Sequence, residues 1–302
     1  MAKRSINTLT IAAACVSATA FFDPADAGPT APQLLAAFGD IIGVDAATTS
    51  EIVGPALIGQ NLGGHGILDT SKTPVNLAGF PAGEAYIYGS NSGTWAESGQ
   101  TIFVGGANTG SFLAAGAGSV LSNYGFPTSF ASIWNTLTSY SAALAAMPAT
   151  GTFDPVTATF SGGTVFDVTT AELAASHGII NGLAAGDIIN VTGSTWTEGL
   201  TYGGFPDGTI WNFVDATNLT FDEFQGTVIA PDATVTNTAP IEGDLVALDY
   251  IGDGELHWNP PDAPADVPNI PLPVDEPAVL DLIAIGIALI VAWRFRRGNA
   301  AA

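Results

Sequence analysis

The sequence predicts a mainly β protein: a β-solenoid (β-helix) with one long flanking α-helix at about residues 127–147, plus an N-terminal signal and a C-terminal transmembrane helix. Three observations carry this reading. First, short units recur. Gly208-Thr209-Ile210-Trp211, Gly226-Thr227-Val228-Ile229-Ala230 and Gly243-Asp244-Leu245-Val246-Ala247 have leading glycines 18 and then 17 residues apart, and two Asp-Ala-Thr triplets, from Asp215 and Asp232, are 17 apart. Self-similarity at a near-constant period marks stacked units. Second, each unit is a short apolar run rich in β-branched residues and bounded by Gly, Asn, Asp or Thr, the composition of strands and turns. A strand of four or five residues cannot bury its face alone, so such units stack and share one core. Third, one stretch abandons this pattern for a helical stripe.

The elements follow in chain order. Lys3 and Arg4 precede an apolar stretch from Leu9 to Val16, and Ala25-Asp26-Ala27 offers a small-x-small cleavage site after Pro24. This is the pattern of a secretory signal peptide over residues 1–27, cleaved at Ala25 and Ala27, with Ala18-Thr19-Ala20 as an alternative site. Cys15, the only cysteine, would leave with it, so no disulfide, thiolate metal site or cysteine nucleophile is expected.

Residues 28–259 form the expected solenoid domain. Gly54-Pro55-Ala56-Leu57-Ile58-Gly59 and Thr101-Ile102-Phe103-Val104-Gly105 resemble the later units, and Gly186-Asp187-Ile188-Ile189-Asn190 begins another one 22 residues before Gly208. A rung of 17–22 residues suits three short strands joined by corners. An immunoglobulin-like sandwich ranks second, because hairpins do not require a near-constant period. Between the early and late units, Phe126, Phe130, Ile133, Leu137, Tyr140, Leu144 and Met147 fall at alternating spacings of four and three, one apolar stripe on a helix. Pro127, Thr128 and Ser129 start it and Pro148 stops it. With one sticky side, this helix should lie along the flank of the stack.

Residues 260–275 form a stiff Pro/Asp-rich linker. Residues 278–293 are then almost continuously apolar, broken by Asp281, and Arg294, Arg296 and Arg297 follow. At 1.5 Å per residue this run reaches about 24 Å, somewhat short of a bilayer core of about 30 Å. The trailing arginines place the tail in the cytoplasm and the body outside.

Charge narrows the function. The chain has 28 acidic against six basic residues, a net charge of −22, and Lys72 is the only Lys or Arg between Arg4 and Arg294. Such a body cannot neutralise a row of phosphates, which excludes nucleic acid, and it is not drawn to anionic lipid.

Two family resemblances add to this. Glu276-Pro277, the short apolar helix and the basic end at Arg294, Arg296 and Arg297 over residues 276–302 resemble the PEP-CTERM sorting signal, with Asp275 in place of the first proline. That resemblance implies recognition by an exosortase-type enzyme and release into an exopolysaccharide matrix, or retention as a membrane-tethered protein. The stretch from Ile210 to Leu219, the units at Gly226 and Ile241, and the closing Gly252-Asp253-Gly254-Glu255-Leu256-His257 resemble the choice-of-anchor A domain of bacterial surface proteins, as do the helix and the early Glu51 to Gly59 segment. This resemblance implies an adhesive β-solenoid with a side helix, similar to bacterial ice-binding solenoids, and brings no catalytic residues with it.

The residues themselves offer little chemistry. His65, His177 and His257 each stand alone, without a second His or Cys at metal spacing. His65 reads as a loop residue. His257 and Glu255 alternate on the last expected strand and so share a face, reading as a capping polar pair. No Gly-x-Ser-x-Gly or phosphate loop is present, and Asp222-Glu223 would point to opposite sides of a strand. Asp249, Asp253 and Glu255 are the acids that could converge on Ca2+, but neither an EF-hand nor a nonapeptide calcium repeat is present, so no cofactor is expected and the acidity reads as a solubility device. The Thr157/Thr159, Thr195/Thr197 and Thr234/Thr236 pairs raise ice binding, yet threonine is a good strand surface residue and the pairs do not repeat at the rung period. Tyr86, Tyr88, Trp95 and Trp196 would stack on sugars if exposed. The expectation is therefore an exported, non-enzymatic surface or matrix protein that meets matrix polysaccharide or another surface, anchored through its C-terminal helix. A polysaccharide-modifying solenoid enzyme and an ice-binding-like solenoid are the alternatives.

Overall fold

The computed structural model describes residues 28–69, 77–83, 85–97, 100–114, 119–176, 180–197, 206 and 208–259. The expected signal segment with Ala25 and Ala27, the linker, and the segment carrying Glu276, Pro277, Arg294, Arg296 and Arg297 lie outside these residues, as do Cys15, Lys72 and His177. Among the described residues no helix is long and apolar enough to cross a membrane.

The described chain is mainly β, and its strands pair in parallel except in the hairpin of Thr152–Asp154 with Thr159–Ser161. The parallel strands stack on three faces, an arrangement compatible with the expected solenoid and not with a sandwich of antiparallel ribbons. The first face runs, in spatial order, through Val165–Thr169, Ile188–Thr192, Ile210–Phe213, the first parts of Thr227–Asn237 and Leu245–Gly252, then Asp40–Ile42, Ala56–Ile58, Ala85–Ile87, Ile102–Val104 and Val120–Ser122. The chain therefore does not climb from one end to the other. It starts at mid-stack, winds outward to Val120–Ser122, returns along the flank, and winds inward from Val165–Thr169 until its last rung pairs with its first.

The seam between the two halves is continuous. On the first face, the Leu245 N–H donates to the Gly39 carbonyl at 2.7 Å and the Gly43 N–H to the Ala247 carbonyl at 2.8 Å. The second face closes through Ala46–Thr48 on Tyr250 to Gly252, and the third through Leu256–His257 on Glu51–Val53. Gly226 and Gly243, which occupy equivalent corners, have φ of +109° and +147°, conformations costly for any residue with a Cβ.

The return path is helical. Helix α1 (Ala31–Ala37) opens the described chain, and α2 (Phe130–Ala145) carries it back, within the bounds expected from the apolar stripe. Ser129 caps α2, and Ile133, Leu137, Tyr140 and Leu144 are buried. The length of α2 matches its task. Its start lies against Gly59 and its end against Asn190, and five inter-strand steps of about 4.8 Å separate those rungs, about 24 Å in all; sixteen residues at 1.5 Å rise span the same distance. A Cβ at Gly59 would lie 2.5 Å from the Phe130 ring and one at Gly43 2.7 Å from the Trp134 ring, so glycine at both places lets the helix sit close.

Two apolar layers result. Inside the stack lie Phe166, Ile189, Trp211, Val228, Leu245, Ile58, Ile87 and Ile102, joined by Leu68, Leu219, Val235 and Leu256 from the other faces. Outside the first face, Ile41, Leu57, Tyr86, Phe103, Ile229 and Val246 pack under α1 and α2. The first face is thus covered on both sides, which leaves the second and third to meet the surroundings.

Candidate functional site

Register determines what the second face displays. Trp196, Leu219, Val235 and Tyr250 align across neighbouring strands, followed by Ala46 and Leu62, and all six point into the core. Side chains alternate along a strand, so the residues flanking each of these point outward. The outward pairs on successive rungs are Thr195 and Thr197, Asn218 and Thr220, then Thr234 and Thr236. Within a pair the side chains stand about 6.7 Å apart, and successive pairs are about 4.8 Å apart. Thr195, Thr197 and Asn218 are exposed, and Thr220, Thr234 and Thr236 are half-buried. The Thr236 hydroxyl donates to Thr220 Oγ1 at 2.9 Å, tying two rungs together.

The Thr195/Thr197 and Thr234/Thr236 pairs therefore do stand in register, with Asn218 and Thr220 between them. Unequal rung lengths conceal this in the linear sequence: Thr195 pairs with a residue 23 positions later, and the next step is 16. The third pair, Thr157/Thr159, belongs to the hairpin and not to this face.

Beyond the seam the display changes. Asp249 Oδ1 accepts from the Asp45 N–H at 3.1 Å, Asp45 Oδ1 from the Asn61 N–H at 3.0 Å, Asn61 Oδ1 from the Ser90 N–H at 3.2 Å, and Ser90 Oγ from the Ala107 N–H at 3.2 Å. This ladder satisfies corner amides rung by rung, so here the acids are structural acceptors.

The third face has a charged cluster at the seam. His257 Nδ1 lies 2.7 Å from Glu242 Oε1 and its Nε2 2.8 Å from Glu255 Oε2. The shared face of His257 and Glu255 was legible in their alternation; Glu242, one rung away, was not. Partial burial pulls the His257 pKa down, but the hydrogen bond and charge of Glu242, then those of Glu255, outweigh it and leave the imidazole more basic than usual. Glu51, on the adjoining first rung, is pushed above the ordinary carboxylate range by burial and by the charges of Asp69 and Glu255.

Other singled-out residues fall elsewhere. Asp249 and Asp253 are engaged separately, Asp253 accepting from the Thr49 hydroxyl at 2.9 Å, and no group of three or more His, Cys, Asp or Glu able to hold a metal gathers among the described residues. His65 is exposed on the strand Leu62–Asp69 opposite Thr94, not in a loop. The aromatic candidates are core residues: Trp95, Tyr86 and Trp196 are buried, and Tyr88 is half-buried, stacked on Phe126 and donating to the Thr128 carbonyl at 2.9 Å. The Thr195-Trp196-Thr197 alternation already implied as much, since threonine outward means tryptophan inward.

One group escaped sequence reasoning altogether. Asp40 points into the core beside the seam, is 2% exposed, and neither carboxylate oxygen has a hydrogen-bond partner among the described residues. Burial raises its pKa well above the ordinary carboxylate range, since a charge there has nothing to replace its water.

A family model described as "Putative Ice-binding-like adhesive domain" matches residues 33–258. No curated protein and no solved structure matches the chain.

Proposed function

Because the chain belongs to the ice-binding-like adhesive domain family, we propose that it is an exported, non-enzymatic adhesin whose β-solenoid meets a repetitive surface, a matrix polysaccharide, through its second face. The supporting observation is the in-register array of Thr195, Thr197, Asn218, Thr220, Thr234 and Thr236. Rigid parallel strands hold hydroxyl and amide groups at fixed intervals, so the ordering cost of binding is already met before a ligand arrives. Many weak hydrogen bonds then act together, as repetition demands of a polymer ligand. In this reading residues 1–27 export the chain, and segment 276–302 holds it at the membrane until an exosortase-type enzyme acts on it. The same array supports a second reading, contact with ordered water at an ice surface.

The test uses the full chain co-sedimented with extracellular polysaccharide. Thr197→Arg and Asn218→Arg place bulky side chains at exposed positions of the array and should each weaken retention by about tenfold, the effect of losing one central contact, while the thermal melt is unchanged. New reducing ends in the polysaccharide would defeat the non-enzymatic reading. Ice-growth inhibition lost in both variants, without polysaccharide retention in the wild type, would transfer the array to ice.

A further inference from the structure

We infer that the outer end of the N-terminal half is a docking edge for a second copy of this chain, so that two stacks join end to end through the rung containing Ser111–Ala114 and Val120–Ser122.

The edge is open. Among the described residues Val120–Ser122 pairs only with Ile102–Val104, and Ser111–Ala114 only with Thr94–Glu97. Among the described residues no further strand meets their outer sides, which leaves a template for another strand. Apolar surface accompanies them: Leu113 is 61% and Leu121 43% exposed, and Ile67, also exposed, continues the Leu113 column down the third face. An internal ladder is unfinished as well. Asn91 donates its amide to Asn108 Oδ1 at 2.8 Å, and Asn108 Nδ2 has no partner among the described residues.

Charge selects the occupant. From residue 98 to residue 153 the sequence contains no Asp, Glu, Lys, Arg or His, in a chain of net charge −22. The last outward rung and the start of the return path fall wholly within this neutral stretch. Exposed edges are ordinarily guarded by charge, proline or a covering element, and here the described residues provide none of them. Two copies of so acidic a chain repel each other over most of their surfaces; at this end that repulsion is least, and a self-complementary neutral edge is what an isologous contact needs. A two-fold axis normal to the first face sets Val120–Ser122 antiparallel to its mate. The attachment point does not interfere, because the described chain leaves at mid-stack, where the Trp258 N–H donates to the Val53 carbonyl at 2.8 Å. The inference is independent of what the second face binds.

Sedimentation velocity of the full chain in a nonionic detergent tests it, with Leu121→Lys and Leu113→Lys as edge variants and the exposed Val156→Lys at the opposite end as control. The wild type should form dimers at micromolar concentration. Leu121→Lys brings two like charges together across the axis and should weaken dimerisation at least tenfold, with Leu113→Lys also weakening it and Val156→Lys leaving it unchanged. Because these side chains are exposed, the thermal melts should coincide. Leu121→Cys, at the axis, should give an interchain disulfide under oxidation. A wild type that stays monomeric, or dimers indifferent to both edge lysines, would overturn the inference. So would a Leu121→Cys chain that never cross-links between copies, the result expected if the chain's own 260–302 segment covered the edge.

Discussion

The outward-winding half, residues 28–122, and the inward-winding half, residues 150–259, use the same rung and finish it differently. The inward half begins under a cap. The hairpin lays Phe153 on Phe160 and Phe160 on Phe166, with ring centroids 4.5 and 5.0 Å apart, and the Thr150 and Gly151 N–H groups donate to the Val165 carbonyl, covering part of the strand edge. Helix α3 (Thr170–Ala175) follows, with a capping box between Thr169 and Glu172, and puts Leu173 into the core. Among the described residues the last strands of the outward half carry no such cap. A stack needs its terminal core covered, so the capped end stands alone while the other waits for a partner.

The halves also meet α2 differently. Toward the outward half the helix packs on apolar Ile41 and Leu57. Toward the inward half it packs on Ile229 and then also meets polar side chains: Asn190 Nδ2 donates to the Leu144 carbonyl and Asn212 Nδ2 to the Ser141 carbonyl, both at 3.0 Å, and Asn212 Nδ2 to Asn190 Oδ1 at 2.9 Å. These amides add second donors near the end of the helix, where the Leu144 carbonyl already accepts from the Met147 N–H at 3.1 Å.

The largest expected effect breaks or confirms the contrast between the ends. Phe160→Ala removes a fully buried ring from the cap and should cost about 3–5 kcal/mol. Phe112→Ala, the half-buried aromatic at the bare end, should cost about 1–2 kcal/mol because much of its surface is already in water. Urea midpoints for the two variants measure this; equal losses would mean that the outer end is covered in solution.

The next effect lies at the seam. Asp40→Asn keeps the shape but removes the ionisable proton. Because the folded-state pKa of Asp40 is raised, the native state holds a proton that the unfolded chain releases above about pH 4, so wild-type stability is greatest below that pH and falls as pH rises toward the folded value. At pH 8 the variant should be the more stable by about 1–3 kcal/mol, the extra cost of an uncompensated charge over a neutral amide in the same place, and near pH 4 the two should converge. Thermal melts at the two pH values decide it; a variant less stable at pH 8 would show that the Asp40 carboxylate has an unseen partner.

How much of this was legible in the sequence depends on which interactions are local. The strand runs, the glycine corners and the α2 stripe follow from neighbouring residues, and each was readable. The out-and-back winding was not, because a period of about 17 is the same whichever way the chain climbs, and no local signal says that Leu245 will pair with Asp40. The same gap hid the threonine array and the Glu242–His257 contact, both of which join residues on different rungs. Asp40 went unread for a related reason. Gly39-Asp40-Ile41-Ile42 reads like Gly243-Asp244-Leu245-Val246, but the observed register pairs Asp40 with Leu245, one position along, and so turns the carboxylate inward.

The smallest effect asks whether the seam cluster fastens the two halves. His257 lies on the last rung of the inward half beside Glu51 on the first rung of the outward half, and its folded-state pKa is raised. Its contribution is therefore fully present below about pH 6.5, the unfolded value, and is lost as pH rises through the folded value. Glu242 and Glu255 have side chains 41% and 43% exposed, so water and salt screen the pair and the contribution is held to about 1 kcal/mol or less. His257→Gln should accordingly lower the urea midpoint slightly at pH 6 and leave it unchanged at pH 9, with the difference shrinking in high salt. Were the loss equal at both pH values, the imidazole would be acting through packing alone, and the backbone pairing of Leu256–His257 with Glu51–Val53 would hold this face of the seam without help from charge.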